Sequence, residues 1–451
     1  MPIKRLSVQL ANQIAAGEVV ERPSSVVKEL VENAVDAGAT VITLEIRGSG
    51  KQLIKVTDNG KGIPEDELAL ALAPHATSKI ACLEDLAAIV TMGFRGEALA
   101  SIASVSRLSL ISRTADQPHA CQVEVSGPEQ NPVVAPAAHP VGTSVIVSDL
   151  FFNTPARRHF LKSDKTEFNH IKDLMIRLAL VNYGIEFRFI ADGKTVLHVQ
   201  AQTRARLGDR IAQLLGREFK NDVLRFDNGD ESYVNAYRRY LNLAVPSDSG
   251  ADVIDDGLSP DDYDPLSRQV LSIYGVLVRP QSFTRATPDR LLTFLNGRCI
   301  SDRTVNHAIR EAYLNAVQQD MDFKPCIRGV IFMECDPRTV DVNVHPRKDE
   351  VRFHNSSIIH DCILANVKSV FELNHINRGN ARMGSLGVDD VTIVDHSKAP
   401  QDGISPEEIV RRRREALGTE RSRQYAAAIE QYLSSSLNPL HPLPDLSLIH
   451  I

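Results

Sequence analysis

The sequence contains no tryptophan, and its other aromatic residues are few: 15 Phe and 9 Tyr in 451 residues. No apolar run reaches the roughly 18 residues that a membrane-spanning helix needs, and the N-terminus becomes polar too early for a signal peptide. The six cysteines form no CxxC pair, which argues against a disulfide framework and a structural zinc site. We therefore expect a cytoplasmic protein with no membrane association, whose cysteines are small buried hydrophobic residues.

No strong charge of one sign is present either. The formal net charge of −6 gives no overall attraction to nucleic acid, so any contact with DNA must use a local basic patch. Five basic residues on or near one predicted helix could contact phosphate groups without reading base sequence. A solvated helical face is the plainer interpretation of most of them. They are Arg204, Arg206, Arg210, Arg217 and Lys220.

The length exceeds what one hydrophobic core usually organises, so we expect two domains followed by a tail. Helical and strand patterns alternate up to residue 183, with strands predicted over 41–47 and 53–57 and a helix over 64–73. A second α+β unit is expected over 184–376, with a hairpin turn at Asp192-Gly193. Residues 377–451 lose the hydrophobic periodicity and are predicted to be a flexible linker. Residues 446–451 match what a common sequencing adapter encodes, which makes them candidates for read-through rather than protein.

A stripe of polar residues follows one predicted helix, from Pro23 to Ala37. Glu29, Asn33 and Asp36 are spaced i, i+4 and i+7 and therefore lie on one face. An ordinary solvent face is the alternative, because Lys28 and Glu32 lie close to the same arc and can form an i, i+4 ion pair. Periodicity alone favours that alternative.

The segment Asp58-Asn59-Gly60-Lys61-Gly62-Ile63 follows a predicted strand and changes this balance. An aspartate at the end of a strand can accept a hydrogen bond from an exocyclic amine. Gly60 and Gly62 allow the backbone to approach a flat ring and to adopt positive φ. Taken alone, the segment could be a hairpin turn, since Asn-Gly is the strongest short turn signal.

A third set of residues precedes the next predicted helix. Thr77, Ser78 and Lys79 are followed by the glycine-rich segment 93–99, whose backbone N–H groups could hold phosphate at a helix N-terminus. A plain loop with Glu97 in the first helical turn is the alternative. Gly142-Thr143, which opens a strand, is uninformative by itself. Gly48-Ser49-Gly50-Lys51 lacks the flanking residues of a P-loop and is interpreted as a hairpin turn.

In their order and spacing these four motifs resemble the ATPase fold shared by gyrase B, heat-shock-ninety chaperones, histidine kinases and MutL proteins. Three further segments, 13–23, 152–157 and 341–348, resemble the MutL family specifically, and the resemblance runs from about residue 1 to 375. It implies an α+β protein: an N-terminal ATPase α/β sandwich at 1–183, then a DNA-contacting transducer domain at 184–376 that resembles the ribosomal S5 domain 2-like fold. We expect the family's C-terminal dimerisation domain to be absent from this chain.

The resemblance also implies roles for individual residues. Glu29 would orient or deprotonate water for attack on the γ-phosphate of ATP, Asn33 would ligate Mg2+, and Asp58 would bind the adenine amine. Lys348 would reach the γ-phosphate from the second domain, and Arg298 would contact DNA. Without the resemblance, both are interpreted as solvated turn residues. The other residues expected to line or close over the nucleotide are Asp36, Gly60, Gly62, Thr77, Ser78, Lys79, Gly93, Phe94, Arg95, Gly96, Glu97, Ala98, Leu99 and Thr143.

The function implied is an ATP-driven switch in DNA mismatch repair. ATP binding would order a lid and dimerise two N-terminal parts of a homodimer around DNA, largely independently of sequence. The switch would signal from the mismatch-recognition protein MutS to a downstream endonuclease and helicase in a bacterial cytoplasm, at the nucleoid, and slow hydrolysis would reset it.

Two alternatives remain open. The first is a DNA-nicking endonuclease of the same family whose nuclease domain is missing from this chain; Asp116-Gln117-Pro118-His119-Ala120 resembles the nuclease motif only faintly and is assigned no catalytic role. The second is a related topoisomerase or chaperone, against which the segments at 152–157 and 341–346 argue.

Overall fold

The computed structural model describes most of the first 380 residues. The described ranges are 20–74, 76–79, 97–127, 132–220, 223–230, 233–234, 271–279, 289–317, 326–341 and 351–380, the last without the side chains of 375–380. Gly93 to Gly96, Lys348, the acidic segment 248–264 and the predicted linker from 381 onward lie outside them. Among the described helices, none is both long enough and apolar enough to cross a bilayer.

The first part of the chain builds one mixed sheet with helices packed on it. In chain order its elements are α1 Pro23–Asp36, β1 Val41–Arg47, β2 Leu53–Asp58, α2 Glu65–Leu68, α3 Ala98–Ser104, β3 Arg107–Arg113, β4 Ala120–Ser126, β5 Val133–Ala137, β6 Gly142–Ser148, α4 Pro155–Phe160, α5 Asp164–Val181, β7 Glu186–Ala191 and β8 Lys194–Val199. The strand order is β5-β4-β3-β6-β2-β1-β7-β8. All neighbouring strands are antiparallel except β1 and β7.

Burial on the sheet alternates, because one face packs on helices and the other is more open. In β1 the side chains of Ile42, Leu44 and Ile46 are fully buried, and their neighbours are partly exposed. Helix α1 covers this face with a buried apolar stripe that includes Val27 and Val31. The predicted helix and first two strands are confirmed to within one residue, whereas the helix predicted from Pro64 to Ala73 is a short α-helix and a separate 3-10 turn.

The sheet continues beyond the domain boundary predicted at residues 183 and 184. Strand β7 pairs in parallel with β1, with Glu186 opposite Val41 and Ala191 opposite Ile46. Strand β8 then returns through the turn at Asp192-Gly193, which confirms the predicted hairpin. The boundary predicted from sequence therefore cuts through this sheet, and we place the end of the first unit after Val199.

The second unit has a five-stranded sheet of its own. Its elements are α6 Leu207–Leu215, β9 Val223–Asp227, β10 Ser272–Val278, β11 Arg290–Leu295, β12 Arg298–Ile300, α7 Arg303–Val317, β13 Arg328–Glu334, β14 Val340–Asp341, β15 Arg352–Phe353 and α8 Ser356–Asn380. The main sheet has the order β12-β11-β13-β10-β9. A second core joins its outer face to α7 and α8 and contains Val305, Ile309, Tyr313, Ile363 and Val367.

Two arginines of the predicted basic patch contact other parts of the fold. Arg210 of α6 is 1% exposed, and its guanidinium donates to the backbone oxygens of Ala179 (2.7 Å), Gln200 (2.6 Å), Asn182 (3.4 Å) and Ile185 (2.9 Å). Burial lowers the pKa of Arg210 to about 10. Arg204 forms a bidentate ion pair with Asp227, and its guanidinium lies over the ring of Tyr274. The buried guanidinium of Arg210 is therefore not available to DNA phosphate, and that of Arg204 is already paired with a carboxylate.

Candidate functional site

The polar stripe of α1 faces a large cleft of the first domain. Glu29, Asn33 and Asp36 all line this cleft and are half-buried. Their side chains point into it because the opposite face of the helix is anchored in the core through Val27, Leu30 and other apolar residues. The ion pair between Lys28 and Glu32 also forms, at 3.9 Å. The stripe nevertheless borders a concave site and is not a plain solvent face.

Asp58 lies at the end of β2, at the bottom of the same cleft. Its residue exposure is only 8%, and its Oδ1 atom accepts a hydrogen bond from the Gly60 backbone N–H at 2.8 Å. Burial raises the pKa of the Asp58 carboxyl, and this effect outweighs the lowering by backbone hydrogen bonds from Gly60 and Thr143 and by the charge of His139. A buried carboxylate at a cleft, with oxygen lone pairs to spare, can accept from a ligand amine.

The backbone around Asp58 approaches other strands so closely that two glycines are required. Gly62 has a φ of +77°, and a Cβ built on it would lie 2.2 Å from the Arg113 carbonyl oxygen. Gly142 has a φ of +127°, and its Cβ would lie 2.2 Å from the Asp58 carbonyl oxygen. Any side chain at either position would push Asp58 or the loop after it out of place. Gly60 does not itself line the cleft, but its N–H orients Asp58.

Strand pairing brings Thr143 to Asp58, as the motif order required. Thr143 of β6 is opposite Asp58 of β2 on one side and Ser112 of β3 on the other. The Ser112 and Thr143 hydroxyl oxygens are 2.9 Å apart, and the Ile63 N–H donates to Ser112 Oγ at 2.8 Å. Ser112 was not predicted as a site residue. The sequence feature that could have identified Ser112 is a hydroxyl residue on the inward face of β3, two and four positions after the buried Leu110 and Leu108.

Lys79 reaches across the cleft to the polar stripe of α1. Its ammonium nitrogen donates to Asn33 Oδ1 at 2.8 Å and to Asp36 Oδ2 at 2.5 Å. Thr77 and Ser78 line the cleft beside it and are exposed. The amide and carboxylate oxygens of α1 therefore face a positive charge in this structure. This arrangement supports their ability to bind a cation or a cationic side chain.

The far end of the predicted phosphate loop is described only in part. Glu97 precedes α3, Ala98 and Leu99 begin it, and all three residues line the cleft. The amide of Asn153, from the segment 152–157, donates to the Ser104 carbonyl at the other end of this helix, at 2.8 Å. That segment therefore contributes to the site by holding α3 in position.

The second domain contributes a wall of the cleft through β12, the turn before it and the end of β11. Phe294, Gly297, Arg298 and Cys299 line it, opposite α1. Burial lowers the pKa of the Arg298 guanidinium, whereas the carboxylates of Glu32 and Asp36 act to raise it. Arg298 was predicted to contact DNA. The structure places it half-buried beside the polar face of α1, and contact with DNA stays a prediction.

Comparison with known proteins agrees with this geometry. Residues 21–146 match the family described as histidine kinase-, DNA gyrase B- and HSP90-like ATPase, and residues 262–372 match the C-terminal domain of DNA mismatch repair proteins. The chain is 47% identical over 370 residues to the DNA mismatch repair protein MutL of Shewanella loihica, covering 82% of this chain and 52% of that protein. It is 46% identical over 375 residues to the Escherichia coli MutL, covering 82% and 54% respectively.

A solved structure shows the same fold. The N-terminal domain of a DNA repair protein aligns with a TM-score of 0.60 at 22% identity, covering 81% of this chain and 99% of that one. The chain spans about half the length of the curated relatives it matches. The two family matches lie in chain order on the two units described above. The chain belongs to the MutL family of DNA mismatch-repair proteins and carries the ATPase domain of that family.

Proposed function

We propose that this chain is the ATP-driven part of a mismatch-repair switch, which binds Mg2+-ATP between α1, β2 and the loop before α3 and hydrolyses it slowly. The observation that carries the proposal is that the buried carboxylate of Asp58 and the stripe Glu29, Asn33 and Asp36 border one cleft. Separate sequence motifs meet there with the donor and acceptor groups that a nucleotide needs at its two ends.

At the base end of the cleft, Asp58 fits an adenine. Its carboxylate is held by the Gly60 N–H and is shielded from water. A purine amine directed at it would form a charge-assisted hydrogen bond, which is stronger than a neutral one in a site of this kind. Gly62 and Gly142 keep the surrounding backbone close-packed, so the recognition group is fixed before the ligand arrives.

At the phosphate end, the oxygens of α1 fit magnesium. Mg2+ prefers hard oxygen ligands and is usually held by one or two protein groups together with phosphate oxygens. Asn33 Oδ1 and Asp36 Oδ2 are such oxygens, and the ammonium of Lys79 already lies between them. We propose that Lys79 leaves these oxygens and turns to phosphate when the nucleotide binds, while Asn33 ligates the cation. The bound cation would neutralise charge that develops on the phosphates.

Glu29 is placed one turn before Asn33 on the same helix face. A carboxylate there would orient and deprotonate the attacking water, with Lys79 holding the phosphates beside it. Residues 93–96 and Lys348 stay predictions for lid closure and for γ-phosphate contact.

The wall supplied by β12 gives nucleotide binding a route to the second domain. Because Arg298 faces the carboxylates of Glu32 and Asp36, any change in charge at the phosphate end alters its surroundings. We propose that this contact links nucleotide state to domain packing, to dimerisation of two copies and to contact with DNA. The proposed partners are MutS and a downstream endonuclease and helicase in a bacterial cytoplasm. Strand nicking is not proposed for this chain.

The experiment that tests the proposal measures ATP turnover and nucleotide binding by the purified chain, with and without single-stranded DNA. Glu29→Ala should bind ATP within a few-fold of wild type but lose turnover by about 100-fold or more, because general-base catalysis contributes about 10²–10⁴-fold. Glu124→Ala, an exposed glutamate of β4 away from the cleft, is the matched control and should turn over normally. A chelator of Mg2+ should abolish turnover.

Other outcomes would change the interpretation in defined ways. If wild type fails to bind ATP, the cleft is not a nucleotide site and the stripe of α1 is an ordinary polar face. If Glu29→Ala binds and hydrolyses like wild type, the cleft stands and another base is required.

A further inference from the structure

A second group of chemically active side chains lies on the outer surface of the second domain, between α7 and α8. It consists of His307 and Glu311, one turn apart on α7, and His360 on α8. His307 Nδ1 is 3.0 Å from His360 Nε2, and the Glu311 Oε2 atom is 3.8 Å from the first nitrogen and 3.5 Å from the second. No motif of the ATPase includes these residues.

We infer that His307, Glu311 and His360 form a binding site for a divalent transition-metal cation, Zn2+ in the first place, which ties α7 to α8. Two imidazole nitrogens and a carboxylate oxygen are a donor set that suits zinc and not magnesium or calcium. Zinc binds such atoms at about 2.0–2.2 Å, so a tetrahedral site separates its ligand atoms by about 3.3–3.6 Å. The three observed separations, 3.0, 3.5 and 3.8 Å, bracket that value.

A further contact supports a metal site over a chance cluster. His360 Nδ1 lies 3.2 Å from Asp361 Oδ1, on the side of the ring away from the cluster. A histidine that ligates a metal commonly donates its other ring N–H to a carboxylate, which fixes the tautomer and turns the lone pair toward the ion. If Asp361 holds the proton of Nδ1, then Nε2 of His360 is left as a lone-pair donor facing His307 and Glu311.

The helices that carry the three ligands are held by the core beneath them. Ala308 and Ala312 of α7 and Ile359 and Ile363 of α8 are buried between the helices. His360 is anchored near this seam, with 21% of its side chain exposed, whereas the side chain of His307 is 70% exposed. A cation therefore needs only small adjustments of His307 and Glu311 to be captured. The open side leaves room for a water as fourth ligand.

An imidazole–imidazole hydrogen bond is the competing explanation of the short distance between His307 and His360. It predicts no affinity for zinc beyond that of scattered surface histidines. The metal site predicts one tightly held Zn2+ per chain and a folded state that zinc stabilises, because a ligand that binds only the folded form shifts the unfolding equilibrium.

The test uses the full chain after treatment with a chelator, in buffer without nucleotide. Zinc binding is measured by competition with a chromogenic chelator, and the melting temperature is measured with and without Zn2+. Wild type should bind one Zn2+ and melt at a higher temperature with the metal. His307→Gln, Glu311→Gln and His360→Gln should each weaken zinc binding by at least about tenfold, and Asp361→Asn should weaken it by about tenfold through loss of orientation.

Two controls separate this site from other zinc ligands. His354→Gln removes an exposed histidine of the same domain that lies outside the cluster and should leave zinc binding unchanged. Cys121→Ser removes the thiol of another candidate metal-binding group in the first domain, formed with Glu65 and His119, and should also leave zinc binding unchanged. Co2+ bound at the proposed site should show no thiolate charge-transfer absorption, since its ligands are nitrogen and oxygen.

The inference is overturned if wild type retains no zinc and shows no shift in melting temperature, or if His307→Gln binds zinc as wild type does. His307 is exposed, so this variant should fold normally without metal. Its metal-free melting temperature should therefore match that of metal-free wild type. Loss of zinc binding would then reflect the missing ligand.

Discussion

Helices α1 and α6 carry similar signals in sequence but place their charged residues in opposite environments. On α1, Glu29, Asn33 and Asp36 border the cleft and are half-exposed. On α6, Arg210 points inward and donates to four backbone oxygens, which lie at the end of α5, just before β7 and just after β8. The comparison shows that a charged residue on a predicted helix face can border a cleft or supply hydrogen-bond partners to buried backbone oxygens. The choice depends on what packs against that face.

The largest change in the free energy of unfolding is expected for a substitution of Arg210, the buried arginine of α6. Arg210→Met keeps the length of the side chain but removes the donors to the oxygens of Ala179, Gln200, Asn182 and Ile185. Leaving buried carbonyls without partners should lower the free energy of unfolding by about 3–5 kcal/mol. Arg206→Met, which removes an exposed arginine four residues earlier, should change it by less than about 0.5 kcal/mol. Urea denaturation measures both. Equal, small losses would show that Arg210 is no more structural than its exposed neighbour.

Asp58 should show the opposite balance, since we propose that its charge binds the ligand and does not stabilise the fold. Asp58→Asn should weaken ATP binding by about ten- to a hundredfold, which corresponds to losing a hydrogen bond to a charged group. The same variant should melt at a higher temperature than wild type at pH 7, because burial disfavours the charged carboxylate. Calorimetric binding and thermal unfolding measure the two effects. A variant that both binds ATP normally and loses stability would contradict this assignment.

The pH dependence of stability gives the sign of the Asp58 effect directly. Its folded-state pKa lies above the usual 3.8, so between these two pKa values the folded protein binds more protons than the unfolded chain. The contribution of Asp58 to stability therefore falls as the pH rises through that window, and the loss persists at higher pH. The difference in unfolding free energy between Asp58→Asn and wild type should grow from pH 4 upward and then level off.

The smallest effect, on ATP affinity or turnover, is expected for Arg298, a charged residue that the second domain places near α1. If its position beside Glu32 and Asp36 matters, Arg298→Ala should change ATP affinity or turnover by about three- to tenfold, the range of a partly exposed charge interaction. DNA binding is measured on the same protein by fluorescence anisotropy. A loss of DNA affinity at normal ATP affinity would support the DNA contact predicted from sequence and remove the proposed link between β12 and α1.

Much of the first domain could be predicted because its signals are local. The helix from Pro23 and the strands β1 and β2 follow from a proline in the first turn and from alternating apolar residues, and they are confirmed. The domain boundary was misplaced because β7 joins β1 in parallel across more than a hundred intervening residues. A strand pattern indicates that a strand forms, but it does not indicate which sheet the strand joins. Strands β4 and β5 were not predicted as separate elements.

The candidate site was predictable where a motif carried the whole signal. Asp58, the stripe of α1 and Thr143 lie at one cleft as expected. The partnership of Lys79 with Asn33 and Asp36, the buried hydroxyl of Ser112 and the wall formed by β12 were not predicted. Each depends on contacts between residues that are distant in sequence. The same holds for the cluster of His307 and His360, which are 53 positions apart.

The amino-acid sequence was enough to predict the family, many of the local elements and the candidate nucleotide-binding groups, because periodicity and motif spacing depend on neighbouring residues along the chain. The position of each charged side chain, in the interior or at the cleft, followed from the packing of the folded chain. Burial, and the supply of unpaired backbone oxygens, are properties of packed elements. As a result Arg210 lies in the interior, Glu29 borders the cleft and Arg298 lies beside α1. A charge costs free energy when it is removed from water, so its position depends on the partners that the whole fold provides.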